Sequence, residues 1–165
     1  MLVTSHYKNI TMKTVRLIII ILATLLCSTR EVYSVQTNSV YTLQPSTVLY
    51  IYGGKDGDEY LGKLNASRYD SESIWNEYGK HGSKYNSKSI WNEYGTYGSD
   101  YSQYSPFNNY ASHPPVLRDK NGKFYGYFTC NEYKSKRANY ELIDIICENY
   151  EEIREDVGDW YDKIF

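Results

Sequence analysis

The sequence has little of the residue types that build metal sites and nucleophilic catalytic sites. Its 165 residues include only three histidines and three cysteines, and their spacing does not match a zinc-ligand set. The glycine-rich stretch at 53–57 lacks the Gly-Lys-Ser/Thr ending of a phosphate loop, and no Gly-x-Ser-x-Gly pattern occurs. We therefore predict a protein that is not an enzyme and that uses no metal ion or cofactor.

Long hydrophobic runs are also scarce. The longest, residues 17–26, follows Lys8, Lys13 and Arg16 and is too short to span a bilayer comfortably. This pattern is typical of a secretory signal peptide over residues 1–34, with a possible true start at Met12. The alternative is an uncleaved anchor, so contact with a membrane is expected only through this segment. We predict a secreted or cell-envelope protein, periplasmic if the source is Gram-negative.

Strong charge of one sign is missing from the rest of the chain. Residues 35–165 hold 14 basic and 19 acidic side chains, a formal net charge of −5. A mildly acidic protein binds polyanions poorly, because such binding needs clustered lysine and arginine. Nucleic acid is therefore not an expected partner.

Tyrosine, in contrast, is abundant, and much of it lies in a tandem repeat. The sequence has 20 tyrosines, and the segment 73–79, Ser-Ile-Trp-Asn-Glu-Tyr-Gly, returns unchanged at 89–95. A degenerate third copy gives units at 69–84, 85–100 and 101–116. Serine before and glycine after each short segment predict one helical turn per unit. Single turns are unstable alone, so the units are expected to stack on one another.

The repeated aromatic and asparagine side chains make this region the candidate ligand-binding surface. Aromatic planes stack on sugar rings, and the amides offer paired donors and acceptors to hydroxyl groups. The alternative, which we favour for the tryptophans, is that they form the core; the loop tyrosines are then the better candidates for contact. The candidate ligand-binding residues are Trp75, Trp91, Asn76, Asn92, Tyr78, Tyr94, Tyr97 and Tyr101.

The flanking sequence predicts an α+β fold in which two β-hairpins bracket the repeats. After a flexible leader at 35–45, a single domain spans 46–165, with strands at 47–52 and 59–64 and a second hairpin around Asn121-Gly122. Apolar residues at three- and four-residue intervals predict one amphipathic helix over about 138–161. Its opposite face carries nine acidic residues and one basic residue between 141 and 162.

Two cysteines and one histidine leave alternatives open. Cys130 and Cys147 form a disulfide candidate in an exported protein, or two buried free thiols. His81 occupies the loop position that Tyr97 fills in the next unit, which favours an exposed aromatic position over a catalytic role.

The segment from about 59 to 131 resembles an uncharacterised family of small exported bacterial proteins. The resemblance lies in Tyr60–Asn65, the Ser-Ile-Trp-Asn repeats, Asn109–Pro115 and Asn121–Thr129. Members often carry Cys-Leu-Asn-Cys where this chain has Lys63–Ala66. Any disulfide, metal or redox role of those two cysteines is therefore absent here. The resemblance implies no established function.

Two functions of different kinds follow from these features. The first is a non-catalytic binding or structural module that recognises a glycan or the cell wall through the repeated aromatics. The second is a protein-partner module, such as an inhibitor or a secretion accessory, that uses the acidic C-terminal helix. The expected partner is thus a cell-wall glycan or another exported protein.

Overall fold

The computed structural model describes residues 46–165, which form a mixed α+β fold. A four-stranded antiparallel sheet and two helices are present, as the α+β prediction requires. The predicted signal peptide at 1–34 and the leader at 35–45 lie outside the described residues. In the described part of the chain, no helix is both long and apolar enough to cross a membrane.

The first two strands are β1 (Tyr50–Gly53) and β2 (Glu59–Lys63), which pair antiparallel. β-Branched and aromatic residues fill β1, as is usual for a half-buried strand. The connection turns at Gly54 and Gly57, whose φ angles of 86° and 65° lie in the left-handed region that glycine adopts without strain.

The other two strands, β3 (Val116–Arg118) and β4 (Phe124–Tyr127), follow the repeats. They pair antiparallel across a turn in which Gly122 has a φ of 80°. β3 also pairs with β1, which gives the sheet order β2-β1-β3-β4. The chain therefore leaves the sheet at edge strand β2, forms the repeats, and returns to the centre of the sheet.

Both sheet edges are covered by the segments next to them. Ser73, in the first unit, forms a parallel bridge with Lys63 of β2, and Arg137 forms one with Tyr127 of β4. These bridges use main-chain groups that an open edge strand leaves unpaired. The first repeat unit is thereby attached directly to the sheet.

The C-terminal region forms two helices, so the prediction of one helix over 138–161 is wrong. They are α1 (Glu141–Glu155) and α2 (Val157–Ile164), and the break lies at Asp156. Asp156 has φ and ψ angles of −145° and 82°, and its carboxylate accepts the Asp159 N–H at 2.8 Å. Aspartate is a strong N-cap residue, so a new helix begins after Asp156. The three- and four-residue spacing of the apolar side chains continues across this break.

The predicted helical turns in the repeats are not formed either. Residues 69–115 contain hydrogen-bonded turns and bends, and the structure assigns no helix there. Main-chain N–H groups donate to the carbonyl three residues earlier at successive three-residue steps, for example Ser73 to Asp70 and Asn76 to Ser73. Serine and asparagine side chains stabilise each turn locally, and such bonds compete with helix formation.

The core is a row of aromatic rings that runs from the repeats to the sheet. Neighbouring rings have centroids 5.7 Å apart for Trp75 and Trp91, 6.0 Å for Trp91 and Phe107, and 6.4 Å for Phe107 and Phe128. Aliphatic side chains from the sheet, the repeats and α1 surround the row. They include Leu49, Ile51, Leu61, Leu64, Ile74, Ile90, Leu117, Leu142, Ile143 and Ile146.

Candidate binding surface

The tryptophans of the repeats lie inside the fold and cannot contact a ligand. Trp75 and Trp91 have 0% and 1% of their surface exposed. The indole N–H of Trp75 donates to the Leu64 carbonyl at 2.7 Å, which satisfies its only polar group. The alternative favoured from sequence, a core role, is what the structure shows. Trp75 and Trp91 are therefore removed from the candidate ligand-binding set.

The repeat asparagines are occupied by the turns that they build. Asn76 accepts the Tyr78 N–H at 3.2 Å and donates its amide to the Asp70 carbonyl at 3.2 Å. Asn92 makes the same pair of bonds, with Tyr94 and with the carbonyl of Asn86. One donor and one acceptor of each amide are used within the repeat, and Asn92 also lines the groove between Tyr85 and Tyr94. A contact of either asparagine with ligand hydroxyl groups stays a prediction.

Four side-chain turns recur in each 16-residue period and direct most of the repeat aromatics, though not His81 and Tyr97. The acceptors lie three residues apart, beginning two residues before each unit, and each takes the main-chain N–H of the residue two positions later. The third acceptor of each unit is a fully buried serine, which directs the core aromatic inward. The first and fourth acceptors turn tyrosines outward, and these tyrosines are Tyr69, Tyr78, Tyr85, Tyr94, Tyr101 and Tyr110.

These six tyrosines, which we call the repeat tyrosines, are almost completely exposed. Tyr78 and Tyr94 are each 91% exposed and Tyr101 is 92% exposed. A large aromatic residue usually buries most of its ring, so six such rings on one scaffold form an unusual surface. Sequence analysis selected Tyr78, Tyr94 and Tyr101 for this role.

Sequence analysis missed four other exposed tyrosines. Tyr69, Tyr85 and Tyr110 are equivalent to the selected positions through the 16-residue period, which was the available signal. Tyr133 lies outside that period, but it ends an Asn-Glu-Tyr tripeptide that also ends at Tyr78 and Tyr94.

Two loop aromatics predicted to be exposed pack against the sheet instead. His81 is 4% exposed, and its ring contacts Tyr60 with centroids 5.1 Å apart. Tyr97 is half-buried against Gly53, where a β-carbon would lie 2.8 Å from its ring. The exposed position expected for His81 is wrong, since its side chain packs on Gly62 and Tyr60. Tyr97 is only partly exposed, and its contact role stays a prediction.

Two open grooves lie between repeat tyrosines of the first and second units. A groove of about 410 Å³ lies between Tyr78 and Tyr85, and one of about 450 Å³ lies between Tyr85 and Tyr94. Lys84 and Glu155 line both grooves and form an ion pair at 2.9 Å. The surface thus alternates aromatic rings with polar groups, an arrangement that fits an amphipathic ligand.

Neighbouring glutamates raise the pKa of two repeat tyrosines. Interaction with the Glu77 carboxylate raises the pKa of Tyr78 above its ordinary value. Glu93 raises the pKa of Tyr94 in the same way. Both phenols are therefore neutral at physiological pH, and their ring faces carry no competing charge.

A disulfide joins Cys130 to Cys147, so the chain adopts the first of the two alternatives left open by sequence. It connects the segment after β4 to the middle of α1. Within residues 46–165, no group of three or more histidine, cysteine, aspartate and glutamate side chains is placed to hold a metal ion.

Comparisons with protein-family models, curated protein sequences and solved structures gave no match to this chain.

Proposed function

We propose that this protein is a non-catalytic binding module of the cell exterior or envelope that recognises a polysaccharide through its repeat tyrosines. The observation that carries the proposal is the exposure of these rings while the tryptophans of the same units are buried. Core packing explains the tryptophans, but it does not explain why each unit also exposes two tyrosines to water. A ligand that covers the tyrosines would explain their exposure.

A polymer with a repeating unit fits this surface better than a single small molecule does. Each unit presents the same pair of tyrosines on the same turns, so successive sugars meet the same chemistry. Tyrosine offers a flat apolar face and little rotamer freedom, so ordering its ring on binding costs little. The formal net charge of −5 over residues 35–165 favours a neutral polysaccharide over a polyanion.

The test is retention of the purified protein on insoluble polysaccharides in high salt. Cell-wall peptidoglycan and chitin are suitable probes, since both contain N-acetylglucosamine. The variant carries Tyr78→Ala, Tyr94→Ala and Tyr110→Ala together, and its fold is checked by circular dichroism. We expect salt-resistant retention of the native protein and at least roughly tenfold weaker binding of the variant, since three aromatic contacts are lost.

A matched control removes charge and leaves every tyrosine in place. Glu148→Gln, Glu151→Gln and Glu152→Gln lie on exposed positions of α1 and should leave retention unchanged. If the native protein binds neither polysaccharide, or if the tyrosine variant binds as well as the native protein, the proposed function is wrong.

A protein-partner module is the second candidate, and an acidic groove favours it. A groove of about 430 Å³ where α1 meets the repeats has five acidic residues and one basic residue in its lining: Glu93, Asp100, Glu151, Glu152, Glu155 and Arg154, which pairs with Asp100. A basic partner would bind there through charge, and its affinity would fall with salt. Binding to a lysine-rich peptide that is lost in high salt and in the glutamine variant would support this candidate instead.

A further inference from the structure

The segment that follows β4 rebuilds the turn of the repeats outside their period. The Asn131 side chain accepts the Tyr133 N–H at 2.9 Å, as Asn108 accepts that of Tyr110 at 2.8 Å. The main chain closes in the same way, since Lys134 N–H donates to the Asn131 carbonyl at 3.1 Å. Asn131–Tyr133 is therefore a fourth copy of the Asn-x-Tyr turn.

This fourth turn lies directly against the third repeat unit. The Asn131 amide donates to the carbonyl of Asn109 at 2.8 Å, and the Cys130 N–H donates to the carbonyl of Pro106 at 2.8 Å. Tyr133 is 95% exposed. A groove of about 420 Å³ separates Tyr133 from Tyr110, so a groove between two exposed tyrosines recurs where the fourth turn meets the third unit.

The disulfide holds the fourth turn in place. Cys130 immediately precedes Asn131 and lines the same groove, while Cys147 belongs to α1. The three tandem units are held by buried aromatic side chains, but Asn131–Tyr133 has no buried side chain of its own. The covalent link to α1 therefore adds to the hydrogen bonds with the third unit as an anchor of this turn.

We propose that the groove between Tyr110 and Tyr133 is the terminal subsite of the polysaccharide-binding surface, and that the Cys130–Cys147 disulfide holds this subsite in its binding geometry. The occupant is the same glycan chain that lies on the repeat tyrosines. Reduction of the disulfide frees the turn and shortens the binding surface by one ring. This inference depends on the proposed function for its ligand.

The binding experiment compares Tyr133→Ala, Tyr133→Phe and the native protein on the same peptidoglycan and chitin. Loss of one aromatic contact should weaken binding roughly threefold to tenfold in Tyr133→Ala, whereas Tyr133→Phe keeps the ring and should bind normally. The double variant Cys130→Ser with Cys147→Ser should weaken binding as much as Tyr133→Ala does. Adding Tyr133→Ala to the double variant should then cause no further loss.

A second measurement follows the turn without any ligand. Hydrogen exchange of the Tyr133 amide reports its bond to Asn131, and the Tyr94 amide, in a tandem unit, is the internal control. Reduction should accelerate exchange at Tyr133 and leave Tyr94 unchanged.

The outcomes separate this inference from the proposed function. If the native protein binds and the three-tyrosine variant does not, but Tyr133→Ala and the cysteine variant bind normally, the terminal subsite is wrong and the function stands. Unchanged exchange at Tyr133 after reduction overturns the role of the disulfide. If the native protein binds neither probe, both proposals fall together.

Discussion

Trp91 donates its indole N–H to the main-chain carbonyl of Ile74, in the preceding repeat unit, at 2.6 Å. Trp75 makes the equivalent bond to Leu64 in the segment that follows β2. Trp91 thus joins the second unit to the first, and Trp75 joins the first unit to the segment after β2, each by packing and by one buried hydrogen bond. The repeats form a continuous stack that begins at the sheet.

Replacing Trp91 with phenylalanine should destabilise the protein by about 2–4 kcal/mol, because the Ile74 carbonyl loses its donor and a cavity remains. Urea unfolding gives the free energy of unfolding. Tyr94→Phe, on an exposed ring of the same unit, should change it by less than about 0.5 kcal/mol. Equal effects of the two substitutions would contradict the role assigned to the indole N–H.

Gly82 should not tolerate alanine, because a β-carbon there would lie 2.1 Å from the Asn76 carbonyl oxygen. That atom belongs to main chain inside a turn and cannot move without breaking it. We expect Gly82→Ala to cost about 3 kcal/mol or more in the free energy of unfolding.

Gly79→Ala is the matched control for that substitution. A β-carbon at Gly79 would approach no atom closer than 3.2 Å, and the third unit carries Ala111 at the equivalent position. We expect an effect within about 1 kcal/mol, consistent with a tolerated site. A loss at Gly79 as large as that at Gly82 would show that glycine is required for chain flexibility and not for space.

Stability should fall on mild acidification because of His81. Burial lowers the pKa of His81 below its ordinary value of 6.5, with the Lys80 charge adding to the effect and Glu72 opposing it. The unfolded chain then binds the proton more readily than the folded one. The stability that neutral His81 contributes is therefore complete above pH 6.5. It is lost as the pH falls through the pKa of His81 in the folded protein.

Urea midpoints between about pH 7.5 and pH 5 test this expectation, since carboxylates remain ionised in most of that range. His81→Phe should make the urea midpoint less dependent on pH. The substitution is conservative, because an uncharged aromatic ring fills the equivalent position at Tyr97. Below this range Asp70 also contributes, because hydrogen bonds from the Glu72 amide and Lys63 lower the pKa of Asp70. A dependence unchanged by His81→Phe would contradict the assignment.

Arg154 should not be replaceable by lysine. The rings of Phe107 and Tyr150 stack on each other with centroids 4.5 Å apart, and the Arg154 guanidinium lies beside this pair, 4.9 Å and 4.8 Å from the two centroids. It donates to Asp100 and to the Gly98 carbonyl. Lysine keeps the charge but loses the planar group and the paired donors. We expect Arg154→Lys to cost about 1–3 kcal/mol in the free energy of unfolding.

The control is the opposite exchange, lysine to arginine, at Lys84, whose ion pair with Glu155 lies on the surface. Lys84→Arg should change the free energy of unfolding by less than about 0.5 kcal/mol, since exposed ion pairs contribute little. If Arg154→Lys proves equally mild, the paired donors of the guanidinium are not what joins α1 to the second repeat unit.

The amino-acid sequence determined the local features of this protein. β-Branched and aromatic runs indicated the strands, and the α+β class followed from them together with the C-terminal apolar period. The inward position of the tryptophans could be argued as well, because single capped turns cannot stand alone in water.

Tertiary structure decided the rest, because it depends on contacts between residues distant in sequence. His81 is buried only because Gly62 leaves space for it: a β-carbon on Gly62 would lie 2.7 Å from that of His81. The fourth turn at Asn131–Tyr133 joins the others only because β4 ends beside the third unit and a disulfide ties it to α1. The sequence therefore specified the turns, and the sheet and the disulfide specified which tyrosines they display together.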